Sequence, residues 1–315
     1  MRENQHSRYG AITRMLPPTT GKVFFVCHAD NANTAELMNE FPTDRDGVPR
    51  VYVTVSGAAT DDLAIQAAID ACVSGRNDYV IIMPGGGNKY NCSTKILMNK
   101  NNVHLVTLEA IANTGSNPSV GASGQVYIDQ SASDDLIYIT GRDCEVAGFQ
   151  ACPKQNYSTI EGGSTAHGAH VHHIMMYMYG SGTPIDFLTL YGSIYVTIEN
   201  NYLTSVTGTV PKAIAVHPSN TGAIVRGNYI IVADGSTATI GIYNGAVKGL
   251  TCDNIVAATS SGPAQGTITT ALSCGDGICT RNMLGVANTA DLAAGGTYSF
   301  IQNYGGTNGG ELAAP

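Results

Sequence analysis

Asparagine returns along the second half of this chain at a nearly fixed step. Asn201, Asn228, Asn254, Asn282 and Asn303 are separated by 27, 26, 28 and 21 residues. Each lies in a brief β-branched or aromatic segment, VTIENNYL, IVRGNYI, LTCDNIV, ICTRNML and FIQNY in turn. A further apolar run precedes each of the first four, at Phe187-Leu188, Ile214-Ala215, Ile240–Ile242 and Ile268-Thr269. A repeat of this length, with two or three short strands and no helical periodicity, fits one coil of a parallel β-solenoid. In such a stack each coil buries its inward side chains only against its neighbours. Leucine-rich repeats have similar length but need a dense leucine spacing that is missing here, and propeller blades need longer, antiparallel repeats.

The asparagine column has a physical reason. A turn asparagine tolerates left-handed backbone geometry and passes amide hydrogen bonds to the next coil, as in stacked amide ladders. All five are therefore candidate coil-stacking residues. A second column is predicted beside them. Glu199, Arg226, Asp253 and Arg281 fall just before the turn at steps of 27, 27 and 28, if a turn in the later coils is one residue shorter. Their signs alternate, so each side chain can pair with its neighbour about 4.8 Å away on the adjacent strand instead of meeting a like charge.

Charged residues make up only 13% of the 315, against a usual share of about 25%. The 23 Asn outnumber the 16 Lys plus Arg, so surface polarity comes from amides, hydroxyls and glycine backbone. A formal charge of −8 argues against a surface that tracks phosphates, and nucleic acid is not an expected partner. No apolar run of about 18 residues marks a membrane span. Met1-Arg2-Glu3-Asn4-Gln5-His6 lack the apolar stretch of a signal peptide, so the expectation is a protein made in a cytoplasm with no membrane partner. The eight cysteines, at 27, 72, 92, 144, 152, 252, 274 and 279, form no CxxC and no Cys/His zinc pattern. They read as reduced, buried small hydrophobes.

Three regions follow along the chain. Residues 1–21 carry Arg2, Arg8 and Arg14 against Glu3 and end in Leu16-Pro17-Pro18. Their net +2 differs from the −10 of the remainder (13 − 23), which suits an extended basic arm that anchors on an acidic partner surface. Residues 22–99 form an N-terminal capping region with strand candidates Lys22–Cys27, Val51–Val55 and Tyr79–Met83. A helix is predicted over about 61–73, because Ile65, Ala68, Ile69 and Cys72 share one face. Thr60 is its candidate cap, and Asp61 and Asp62 suit its dipole. Residues 100–315 hold the β-helix coils and a glycine-rich C-terminal cap.

Reactive constellations are sparse. His167, His170, His172 and His173 cluster in HGAHVHH. In an extended strand His170 and His172 share a face and His173 points away, so two nitrogens would need a third ligand from a neighbouring coil or subunit to hold a metal. Carboxylate candidates for acid–base work on glycans are Asp134/Asp135, Asp143/Glu145, Asp186 and Glu199. The segment Pro84–Lys89 lacks the end of a phosphate-binding loop, and Asp44–Gly47 matches only the start of a calcium loop. No G-x-S-x-G elbow occurs. No catalytic, cofactor-binding or metal-binding residue is assigned from sequence, and no cofactor is expected.

The combination of KVFFVC near the start, a short capping helix, YVIIMPGG, VHLVTL at 103–108 and asparagine-marked coils resembles pectin-lyase-like right-handed parallel β-helix proteins. The opening TGKVFFVCHADNAN…DDLAIQAAIDACVSGRNDYVIIMPG is similar to that of β-helical proteins encoded among tailed-phage head and virion genes. The resemblance implies an all-β, single-stranded right-handed parallel β-helix with a short N-terminal capping α-helix. It further implies a non-enzymatic structural protein of the virion, a homotrimeric capsid-decorating spike or fibre. Its partners would be copies of itself and capsid or other virion proteins. The alternative is a tailspike-like polysaccharide depolymerase, or a non-catalytic glycan-binding module with host-surface glycan as partner.

Overall fold

The computed structural model describes residues 21–31, 33–58, 60–107, 126–131, 134–152, 157–178, 186–205, 208–232, 236–258, 267–285, 292–294, 298–301, 304–305 and 310–311. The chain winds into a parallel β-solenoid of about eight turns. Each full turn contributes one strand to each of three sheets, as in Thr197–Glu199 (sheet 1), Tyr202–Ser205 (sheet 2) and Gly208–Val216 (sheet 3). Among the described residues sheet 1 has eleven strands, sheet 2 ten and sheet 3 eight. Pairing between coils is parallel and in register, for example Ile198↔Val225 and Leu203↔Ile230.

Alternation along each strand decides what enters the core. In sheet 1, Val171, Ile198, Val225, Thr251 and Cys279 stack inward, and all are buried. In sheet 2 the column is Met176, Leu203, Ile230, Val256 and Leu284, again buried. The apolar runs before each asparagine lie in sheet 3, where Leu188, Ile214, Ile242 and Leu272 stack. The seven cysteines whose side chains are described are free and buried, five of them (Cys72, Cys92, Cys144, Cys274 and Cys279) in this core.

Among the described residues two short helices lie at the N-terminal end of the stack, α1 (Thr34–Glu40) and α2 (Asp61–Ala71). The sequence periodicity pointed to α2 alone. Helix α1 has only seven residues and buries only Thr34 and Leu37, too little to leave a periodic mark. Helix α2 buries Ile65, Ala68 and Ile69 and closes the N-terminal end of sheets 2 and 3. Its first turn departs from the expected cap, because the Thr60 side chain makes no capping bond. Asp61 and Asp62 are instead buried against the edge strands. Asn91 N donates to Asp61 Oδ2 (2.7 Å), and Ser93 N and Thr94 Oγ1 donate to Asp62. One turn on, Gln66 accepts from Leu97 N at 2.8 Å and donates to Leu97 O at 3.2 Å. Helix side chains thus take the place of the next strand, satisfying backbone groups that an open edge would expose. No helix among the described residues is long and apolar enough to cross a membrane.

Candidate functional site

From the coil that starts at Glu145 onward, the turn between sheets 1 and 2 has two residues, and its geometry is set by the first. Asn200, Gly227, Asp253 and Arg281 have φ of 54°, 63°, 57° and 54°. The left-handed residue is therefore the one before the recurring asparagine. Asn201, Asn228, Asn254 and Asn282 instead turn inward and are 0–1% exposed. Asn201 Nδ2 donates to Asn228 Oδ1 at 3.0 Å, Asn228 to Asn254 at 3.0 Å, and Asn254 to Asn282 at 2.9 Å. The same Oδ1 atoms accept the backbone N–H of the preceding ladder residue at 3.0–3.1 Å. Each Nδ2 also reaches back to a strand carbonyl, such as Ile198 O from Asn228. The ladder stops at Ile174, whose N–H donates to Asn201 Oδ1 (3.0 Å). There and one coil earlier, Ile174 and Phe149 occupy the asparagine position behind left-handed His173 and Gly148. Asn303, like Arg2, Arg8 and Arg14, lies outside the described residues.

The predicted single column of alternating charge is in fact two columns with one pair each. Glu199 and Arg226 are strand partners and form an ion pair. The strand partner of Arg226 is Cys252, not Asp253. Asp253 and Arg281 occupy the left-handed turn position one residue further on, and pair bidentately at 2.7 Å. The cause is that the asparagine fixes the register. Counting back from it, Glu199 and Arg226 fall two residues before, whereas Asp253 and Arg281 fall one before.

The densest polar assembly covers the outer face of sheet 1. Strand His170–His172 buries Val171 and turns both imidazoles outward, where their rings stack at 4.1 Å. Strand pairing puts Glu145 beside His170 on one flank, and Thr197 and Glu199 on the other. His172 Nε2 meets Glu145 Oε1 at 2.7 Å, and His170 Nε2 meets Glu199 Oε1 at 2.8 Å. The second oxygen of Glu145 takes His104 Nδ1 at 2.7 Å, and His104 Nε2 reaches Asn77 Oδ1 at 2.6 Å. Tyr79 stacks on the His104 ring at 4.2 Å. His173, expected to point away, bends back in its left-handed turn so that its Nδ1 lies 2.7 Å from His172 Nδ1. His167 is separate, accepting the Ile194 N–H on Nδ1 at 3.1 Å.

Electrostatics follow from these contacts. Burial works against ionisation of Glu145, but hydrogen bonds from His104 and His172 outweigh it and hold the carboxyl well below its ordinary value. Glu199 is likewise lowered, its partial burial overcome by Arg226 and His170. Burial, then the neighbouring His172, lower His170 and His173 and favour their neutral forms. Since an ionised carboxylate only accepts, Glu145 requires a proton on His104 Nδ1 and on His172 Nε2. Sequence alone isolated the histidines but missed His104, Glu145 and Asn77 as their partners.

A second group lies on sheet 3. Lys95 bridges to Asp134 at 3.0 Å, and Asp135 accepts from Ser158 N at 2.9 Å. Glu161 adjoins Asp135. Burial first, then the Asp135 charge, push Glu161 up to about 7, and burial also raises Asp135. Asp186 is buried with Oδ1 lacking a partner, and is pushed up to about 6 by that burial. The proposed Asp143/Glu145 pairing does not form: Asp143 sits exposed in a left-handed turn, and Glu145 belongs to the histidines.

No family model and no curated protein matches this chain. Two solved structures share a distant likeness. One is described as Geobacillus virus E2 ORF18, at 11% identity and a TM-score of 0.33, covering 91% of this chain and 74% of that one. The other, described as the crystal structure of Agl-KA catalytic domain, has 11% identity and a TM-score of 0.20, with 90% and 69% covered. At these values neither bears on the site, whose chemistry rests on this chain's own residues.

Proposed function

We propose that this protein is a structural component of a tailed-phage particle, a rigid β-helical spike or fibre that decorates the capsid as a homotrimer without catalytic turnover. The observation that carries the reading is the buried asparagine ladder. It locks successive coils through both backbone and side-chain donors, as a load-resisting rod requires. The similarity of the opening segment to phage virion β-helix proteins supports the location. The basic arm with Arg2, Arg8 and Arg14 would hold capsid or other virion proteins. Quantitative mass spectrometry of purified particles tests this. A copy number commensurate with the shell protein is the expected result, and absence from the particle overturns it.

One observation favours a second reading, cleavage of a host-surface polysaccharide. Glu161 and Asp135 are adjacent carboxyls, and Glu161, pushed up to about 7, holds a proton in a substantial fraction of molecules at neutral pH, as a general acid in glycan hydrolysis must. A few copies per particle, with reducing ends released from host polysaccharide by the wild type but not by Glu161→Gln, would establish that reading in place of the first.

A further inference from the structure

One nitrogen each from His170 and His172 and one oxygen from Glu145 lie within 4.8 Å of one another. All three side chains leave the same face of sheet 1, on adjacent strands. We propose that Glu145, His170 and His172 form a binding site for a divalent first-row transition cation of the zinc type.

The geometry is close to what such an ion requires. Donor atoms about 2.1 Å from a tetrahedral metal are roughly 3.4 Å apart. Drawing the three atoms together is a matter of small side-chain rotations, because they project from strands whose backbone is fixed by pairing on both sides. The donor set is two imidazoles and a carboxylate, which selects zinc-like ions over magnesium or calcium, whose preference is for oxygen alone.

The surrounding shell supplies the outer hydrogen bonds that a metal site of this kind uses. His104 donates to the second oxygen of Glu145 and is itself held by Asn77, the outer support that orients a ligating carboxylate. His173 stands at Nδ1 of His172. When a cation displaces the proton on His172 Nε2, that proton is accommodated on Nδ1, which then donates to His173 Nδ1, with the His173 proton carried on its Nε2. Glu199 stays beside His170 as a second anionic neighbour, so the ion enters a region of negative charge with Arg226 one strand beyond.

The test uses the full chain after dialysis against a chelator. Titration with Co²⁺ is followed by visible absorption, and titration with Zn²⁺ by calorimetry. The expected result is saturable binding of one ion per chain, with Zn²⁺ displacing Co²⁺. His172→Ala and Glu145→Gln, checked for retained β-structure by circular dichroism, are expected to weaken it by at least roughly tenfold. His217→Ala, which alters a histidine on another turn, is expected to leave it unchanged. Crystals of the wild-type chain soaked in Zn²⁺ give a readout independent of any variant. An anomalous peak between His170, His172 and Glu145 is expected. Absence of saturable uptake, affinity unchanged in His172→Ala or Glu145→Gln, affinity lost in His217→Ala, or a peak elsewhere would each overturn the proposal.

Discussion

A ladder asparagine serves three coils with one short side chain. Asn228 Oδ1 accepts two donors from Asn201, while its own Nδ2 reaches Ile198 O and Asn254 Oδ1. Removing it leaves buried groups on both sides without partners, and that desolvation cost is the larger part of the effect. Asn228→Ala is therefore expected to lower unfolding stability by about 2–3 kcal/mol, measured by urea denaturation. Arg226→Ala, two residues away, is expected to cost no more than about 0.5–1 kcal/mol, because its side chain is 53% exposed. The spacing of the asparagines was legible in the sequence, but their conformation was not. The left-handed strain falls on the residue before, and Arg281 at that position disguises a site where Asn200, Gly227 and Asp253 are conventional.

Among the elements, α2 shows most clearly how a helix can terminate a sheet. Its apolar face was legible as Ile65, Ala68, Ile69 and Cys72, and all four are buried. Its polar work was not, because Asp61 and Asp62 look like ordinary first-turn acids until the edge strands are placed beside them. Asp62→Ala is expected to destabilise the fold by about 1–3 kcal/mol and to produce concentration-dependent association by light scattering, since it frees the Ser93 backbone N–H and the Thr94 hydroxyl at an edge. The His170–His172 strand presents the same division. Alternation in sequence puts two imidazoles on one face, yet it is the coil register that brings Glu145 and His104 to them. In those coils Phe149 and Ile174 stand where asparagine would have marked the register, and no sequence signal counts out the turns.

At the scale of the molecule the coils are interchangeable units joined by nearest-neighbour contacts. Duplicating residues 228–253, one 26-residue step from ladder asparagine to ladder asparagine, joins Asp253 to a second Asn228 and preserves the turn. The lengthened chain is expected to fold and to extend the particle by about one strand spacing, 4.8 Å, in small-angle scattering. An insertion of half that length breaks all three registers and is expected to prevent folding. The closed N-terminal end has a consequence for assembly. An open filament grows only when two complementary ends are free, and here one end is sealed by α2 and by the short edge strand Val51–Val53. Strand-on-strand stacking of one copy upon the N-terminal end of another is therefore blocked, and head-to-tail growth of coils into a continuous fibre is closed off at that end.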